Sequence, residues 1–288
     1  MRTVRTIAEL RRALPAAREA QTSVGLVPTM GALHDGHLAL LAAARAECEL
    51  VVMSLFVNPA QFGPAEDLAA YPRDEARDTA LAREAGVDVV FAPSVEEMYP
   101  PGFATAVVVR GLGERLEGEW RPGHFEAVAT VVTKLLNIVA PDVAYFGQKD
   151  AQQALVIERL VADLDMPVRI VVCPTVREPD GLALSSRNAY LSAGERARAV
   201  GLSRALARAA QVIGDGERDS GAVRAAALAE LAASDLEADY LAVVDPETLE
   251  PVERIDRPVL IASAARVGRA RLIDNVIASP SKNGVKRS

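Results

Sequence analysis

The stretch Ser23-Val24-Gly25-Leu26-Val27-Pro28-Thr29-Met30-Gly31-Ala32-Leu33-His34-Asp35-Gly36-His37 decides the architecture. Its first six residues form a short apolar run that reads as a strand. A Gly-containing turn then leads into an Ala/Leu segment, about Gly36 to Glu47, that reads as a helix. The alternation continues downstream. Leu50 to Val57 reads as a strand, Arg73 to Ala85 as a charged amphipathic helix, and Val87 to Ala92 and Thr105 to Val109 as further strands. Phe125 to Val139 predicts a helix ended by Pro141, followed by a strand over Asp142 to Phe146. A helix from Asp150 to about Leu164 and a strand from Val168 to Cys173 complete the series. Near-continuous apolar strands alternating with helices predict a parallel sheet covered on both faces. Ligands of such a doubly wound α/β sheet lie at the carboxyl ends of its strands.

After Thr175 the pattern changes. A polar loop, Arg177-Glu178-Pro179-Asp180-Gly181, precedes Leu184-Ser185-Ser186-Arg187-Asn188, and two Ala/Arg helices follow over about Ser192 to Ile213 and Ser220 to Ala233. Strand-like runs come at Asp239 to Val244, Pro258 to Ala264 and Ala270 to Val276. Helices followed by strands predict a smaller α+β domain, so the expected division is 1–175 and 176–288. The polar, basic tail from Ser279 to Ser288 is expected to be disordered.

Composition narrows the function classes. The 288 residues carry 32 Lys plus Arg against 39 Asp plus Glu, a net charge of −7, with half the residues hydrophobic and a quarter charged. An acidic chain offers no electrostatic footprint for nucleic acid or an anionic membrane. Cys48 and Cys173 alone make neither a disulfide framework nor a cysteine zinc cluster. Apolar runs such as Val128 to Val139 are short and interrupted by Thr, Lys or Asn, so no membrane span is expected. The N-terminus leads into a charged segment (Glu9, Arg11, Arg12) without a signal peptide's apolar stretch, which makes the cytoplasm the expected compartment. The four lysines, Lys134, Lys149, Lys282 and Lys286, stand out against 28 arginines. A specific role and sampling chance both remain open for each.

The turn at Met30 to His37 is where chemistry is expected. A strand-to-helix junction presents unpaired backbone N–H groups and the positive end of the helix dipole, which suits a phosphate. Two imidazoles there can donate to phosphate oxygens, and Gly36 lets a ligand approach the backbone. Two other readings stand beside this one. The histidines could cap and pack, or could bind a metal, although no carboxylate or cysteine partner is obvious nearby. There is no G-x-G-x-x-G pattern, which disfavours dinucleotide redox binding.

His34-Asp35-Gly36-His37 resembles the H-x-G-H signature of the adenylate-forming nucleotidyltransferase superfamily. The wider set resembles the pantothenate synthetase family: Pro28-Thr29-Met30-Gly31, Phe56-Val57-Asn58-Pro59-Ala60-Gln61-Phe62, Tyr71-Pro72-Arg73 and Arg121-Pro122-Gly123-His124-Phe125. Further along come Phe146-Gly147-Gln148-Lys149-Asp150, Asp180 to Asn188, and Arg271-Leu272-Ile273-Asp274-Asn275, in the family's order. The resemblance implies a Rossmann-like domain with a smaller C-terminal lid. The implied reaction is an ATP-dependent joining of (R)-pantoate to β-alanine through a pantoyl-adenylate, with release of AMP and pyrophosphate.

It also implies residue roles. His37, His34 and Lys149 are the expected catalytic groups. The nucleotide site is expected to comprise Met30, Gly31, Ala32, Leu33, His34, Asp35, Gly36 and His37, with Gly147, Gln148, Lys149, Asp150 and Val176, and then Leu184, Ser185, Ser186 and Arg187 as a second clamp. Gln61, Gln153 and Asn58 are expected around pantoate, and Gln61 also near β-alanine. In the first step an anionic carboxylate attacks an anionic α-phosphate, so the site must neutralise both. Mg²⁺ bridging phosphate oxygens is expected beside these side chains, with its protein ligands open. A homodimer is implied by resemblance only; the resemblance also suggests a role for Arg121 and His124 near the active site or the dimer interface, and neither is assigned one. Two positions depart from the family pattern: Ala127, often Gly, and Ala65, frequently Asn. Two rival readings are another nucleotidyltransferase of the superfamily and a non-catalytic nucleotide sensor. The acidic charge and the lack of an anticodon-binding domain disfavour a class I synthetase.

Overall fold

The computed structural model describes residues 1–14, 22–63 and 68–281. The chain divides into two compact units, Met1–Pro174 and Thr175–Ser288. In the first unit, the described elements are strand β1 (Arg2–Val4), helix α1 (Ile7–Ala13), β2 (Val24–Thr29), α2 (Asp35–Glu47), β3 (Leu50–Leu55), α3 (Glu75–Glu84) and β4 (Val89–Phe91). They continue with the short helices α4 (Val95–Met98) and α5 (Glu117–Trp120), then α6 (His124–Val139), β5 (Val143–Gly147), α7 (Ala151–Asp163) and β6 (Arg169–Cys173). Single 3-10 turns at Pro59–Gln61 and Gln148–Asp150 follow β3 and β5.

The six strands form one parallel sheet in the order β1-β4-β3-β2-β5-β6. The chain runs outward from β2 through β3 to β4, then returns to start again at β5 on the other side of β2. The strand order therefore reverses between β2 and β5, which makes a crevice at their carboxyl ends. Register holds these two strands together at Gly25↔Val143 and Leu26↔Ala144.

Period-two alternation sends successive side chains to opposite faces. Leu26, Val52, Phe91, Ala144 and Phe146 join one core with α1, α6 and α7. Their neighbours Val27, Met53, Val90, Val143 and Tyr145 join a second core with α2 and Ala82 of α3. Fully burying one such aliphatic or aromatic side chain contributes about 1.5–3 kcal/mol, so the two-sided pattern fixes the register. Cys48 and Cys173 are free thiols inside the second core.

Two departures from the sequence reading have local causes. The N-terminal segment, read only as charged, forms edge strand β1 and helix α1. Thr6 and Glu9 start α1 with a reciprocal capping box. Thr105 to Val109 forms no strand: the Val107 N–H donates to Thr130 Oγ at 2.9 Å, so a helix side chain takes the place of a ladder partner.

The second unit carries α8 (Ala193–Gly214), α9 (Ser220–Ala233), and strands β7 (Ala238–Val244), β8 (Val259–Val267) and β9 (Ala270–Ala278). The three strands form an antiparallel sheet in the order β7-β8-β9, and both helices pack against it. Among the described residues no helix is long and apolar enough to cross a membrane. The sequence positions Ala65 and 282–288, including Lys282 and Lys286, lie outside the described residues.

Candidate active site

The turn after β2 is held by a buried carboxylate. Gly31 and Ala32 both lie in the left-handed region, with φ of 86° and 52°. A Cβ on Gly31 would sit 2.9 Å from Asp78 Oδ2 and 2.9 Å from Leu55 Cδ1, so only glycine fits. Ala32 carries a strain of about 1–2 kcal/mol. Asp78, on α3 and 1% exposed, offsets it by accepting the Ala32 and Leu33 N–H groups, each at 2.8 Å. Arg77 Nη1 donates to the Leu33 carbonyl at 3.1 Å.

The two histidines cap the following helix reciprocally. The Gly36 N–H donates to His34 Nδ1 at 3.2 Å, and the His34 N–H donates to His37 Nδ1 at 3.3 Å. A ring nitrogen that accepts a backbone N–H carries no proton, so both neutral rings hold theirs on Nε2. The capping and phosphate-donor readings are therefore compatible: Nδ1 caps and Nε2–H remains a donor. The ring centroids lie 4.1 Å apart. Burial and the His34 ring hold His37 down to about 3, and burial together with Lys149 lowers His34. The pair is neutral at physiological pH.

A second helix head lies on the neighbouring strand. β5 ends at Gly147, and Gln148–Asp150 lead directly into α7. Lys149 Nζ is 3.6 Å from Asp150 Oδ1, with the lysine side chain 19% exposed. The charges of Lys149 and Asp150 act on both histidines, the lysine lowering and the aspartate raising their proton affinity. A cation at a positive helix terminus is a poor match unless an anion lies there. The structure thus brings His34, His37, Lys149 and Asp150 together across the β2/β5 crevice, and Met30, just after β2, is half-buried.

Asn58 and Gln61 occupy the 3-10 turn after β3. Asn58, 1% exposed, accepts the Ala60 N–H at 3.3 Å and the Tyr99 hydroxyl at 3.0 Å, and donates to Gln61 Oε1 at 3.0 Å and the Ala127 carbonyl at 3.4 Å. Its bonds shape the turn and take up the Gln61 carbonyl oxygen. Arg121 and His124 reach the same residue from the start of α6 and meet its backbone carbonyl. Ala127 is buried, and its extra methyl is accommodated in the helix. Gln153 is half-buried in the first turn of α7. Its neighbour Gln152 is structural, donating to the Leu112 and Arg115 carbonyls and accepting the Glu117 N–H.

The remaining expected nucleotide residues belong to the second unit. Val176 and Leu184 face each other across a narrow hairpin, with the Leu184 N–H on the Val176 carbonyl at 3.0 Å. Ser185 Oγ accepts the Arg187 N–H at 3.3 Å and starts the 3-10 turn Ser186–Tyr190. Arg177 anchors the hairpin by a bidentate contact to buried Asp274, at 2.6 and 2.9 Å. Ser185, Ser186 and Arg187 are half-buried.

Sequence reasoning passed over Asp78 and Tyr99, and singled out Arg121 and His124 without assigning them a role. The spacing of Asp78 and Ala82 on the buried face of α3 was the available signal for the first. Among the described residues no group of three or more His, Cys, Asp or Glu side chains could hold a metal ion. Magnesium carried on a triphosphate needs only one or two carboxylates, and Asp150 is a carboxylate at the helix head.

A doubly wound parallel sheet with two histidines, a lysine and an aspartate at its switch point is the architecture of an α/β protein that takes its ligand at the carboxyl ends of the strands. Residues 2–277 match the family described as pantoate-beta-alanine ligase, and the chain belongs to that family. It is 57% identical to a pantothenate synthetase from Moorella thermoacetica, over 96% of this chain and 98% of that protein. A crystal structure of pantothenate synthetase from Thermus thermophilus superimposes with a TM-score of 0.93 at 54% identity, covering 97% of this chain and all of that one. A Francisella tularensis pantoate-beta-alanine ligase, complexed with beta-gamma ATP and beta-alanine, gives 0.81 at 33% identity, covering 96% and 97%.

Proposed function

We propose that the chain condenses (R)-pantoate with β-alanine in two steps at the β2/β5 crevice, by way of pantoyl-adenylate. ATP is the co-substrate, as family membership and the ligands of the Francisella relative support. The observation that carries the reading is the histidine capping box, which leaves two neutral Nε2–H donors beside Lys149.

In the first step a pantoate carboxylate oxygen bonds to the α-phosphorus, the bond from that phosphorus to the bridging oxygen breaks, and pyrophosphate leaves. His34 and His37 donate to phosphate oxygens as charge builds there, and Lys149 neutralises the phosphate chain. Depressed basicity suits this role: a neutral imidazole donates a hydrogen bond without giving up a proton. Asp150 is the carboxylate suited to bound Mg²⁺, which would add countercharge to the phosphates. Gln61 and Gln153 hold pantoate, Gln61 offering its Nε2 because Asn58 occupies its oxygen. In the second step the neutral amine of β-alanine attacks the activated acyl carbon, AMP leaves and the amine sheds a proton. Positioning supplies the main rate gain there.

Ser185, Ser186 and Arg187, with Val176 and Leu184, are the nucleotide-binding residues of the second unit. The chain acts in the cytoplasm as a homodimer. The apolar run Ala106 to Val109, in which Val108 is 55% exposed, supports a self-association surface. Pantoate labelled with ¹⁸O in its carboxylate tests the chemistry, because an acyl-adenylate route transfers one labelled oxygen to AMP. Unlabelled AMP would refute it.

A further inference from the structure

We propose that Arg121 and His124 are positioning residues that clamp Gln61 in its ligand-binding pose. The inference rests on the assignment of Gln61 to pantoate. Gln61 ends a single 3-10 turn, too short to fix a side chain by its own hydrogen bonds, and its carbonyl is one of the orphan acceptors at a helix end. Two donors from one remote turn meet that carbonyl, Arg121 Nη2 at 3.1 Å and His124 Nδ1 at 3.0 Å. The two side chains also meet each other, Arg121 Nη1 lying 3.0 Å from His124 Nε2.

Every polarity in this triangle is forced. A guanidinium only donates, so His124 Nε2 accepts and its proton resides on Nδ1. Nδ1–H then donates to the Gln61 carbonyl, leaving both lone pairs of that oxygen engaged. The tautomer is opposite to that of His34 and His37. The other end of Gln61 is equally constrained. The Ala60 N–H and Ala127 carbonyl have fixed roles, so Asn58 must turn its oxygen to the first and its amide to the second. Its amide therefore also faces Gln61 Oε1. Gln61 is held at backbone and side chain, and with its oxygen engaged by Asn58 the Nε2 group is the donor it can offer a ligand. The left-handed Gly123 (φ 82°) lets the Arg121–His124 turn wrap tightly enough for both side chains to point at one oxygen.

The test uses steady-state kinetics of the full chain with each substrate varied in turn. His124→Ala should raise the pantoate KM about tenfold, the factor corresponding to one lost hydrogen bond, with ATP KM and melting temperature essentially kept. His124→Asn retains an amide donor for the Gln61 carbonyl and should recover most of that loss, which also covers the case in which the alanine variant folds poorly. In a Gln61→Ala background, His124→Ala should add nothing further. Additive losses, an unchanged pantoate KM, or a selective rise in β-alanine KM would overturn the clamp, the last by showing direct contact with the amine substrate. If Gln61→Ala itself leaves pantoate KM unchanged, the pantoate assignment fails instead. The clamp is then judged by ¹⁵N NMR of His124, where an Nδ1–H tautomer supports it and an Nε2–H tautomer overturns it.

Discussion

Replacing His37 with alanine separates the two jobs that its ring performs. On the structural side, Nδ1 accepts the His34 N–H at 3.3 Å, a long bond at an edge of the cap. Losing it should cost no more than about 1 kcal/mol of stability, the usual scale for a helix cap. On the chemical side, the Nε2–H donor aimed at the developing phosphate charge disappears. One such donor is worth about 10²- to 10³-fold in rate, or about 2.7–4 kcal/mol of barrier. The expectation is therefore a folded protein whose adenylation rate falls by that factor. Urea denaturation measures the first quantity, and single-turnover formation of pantoyl-adenylate with saturating ATP and pantoate measures the second. A variant that forms adenylate at the parental rate would refute the donor role. A variant that fails to fold would make His37 chiefly a structural residue.

Other outcomes follow from neighbouring groups. Lys149→Arg keeps the formal charge but replaces a compact ammonium with a planar fork, so adenylate formation in the same assay should fall at least about tenfold, about 1.4 kcal/mol. Asp78→Asn leaves a donor facing one of the Ala32 and Leu33 N–H groups, and urea denaturation should register a loss of about 1–3 kcal/mol with a raised KM for ATP. His37 has a folded-state proton affinity, at about 3, below its ordinary value of 6.5. Between those limits the unfolded chain binds the extra proton, so this contribution to stability is complete above the upper value and declines as pH falls. Denaturation at pH 7 and pH 5 should show wild type losing more stability than His37→Asn, and equal losses would refute the shift.

Much of this architecture was legible because burial on both faces writes itself as apolar runs. The strands ending at Thr29 and Gly147 and the helices after them read directly, and with them the two helix heads that carry His34, His37 and Lys149. Edge strand β1 was not legible, since three residues beginning Arg2-Thr3 pair only along one side and carry no apolar run. Thr105 to Val109 has strand composition, but composition does not reveal that Thr130 supplies the partner for Val107. Asp78 was masked by the charges around it in an exposed-looking helix, because its partners are backbone groups 45 and 46 residues away. Arg121 and His124 remained unassigned for the same reason: they meet Gln61 across 60 and 63 residues, on a carbonyl whose need for donors appears only in the folded chain. The motifs disclosed the family, and the hydrogen-bond polarities came from the structure.

The central claim, that pantoate is adenylated before β-alanine takes part, is tested most directly by ATP–pyrophosphate exchange. With Mg²⁺, ATP, pantoate and labelled pyrophosphate but no β-alanine, label should enter ATP, and omission of pantoate should abolish it. Exchange that requires β-alanine would contradict the two-step reaction, and ATP binding without exchange would instead favour a nucleotide sensor that kept the fold.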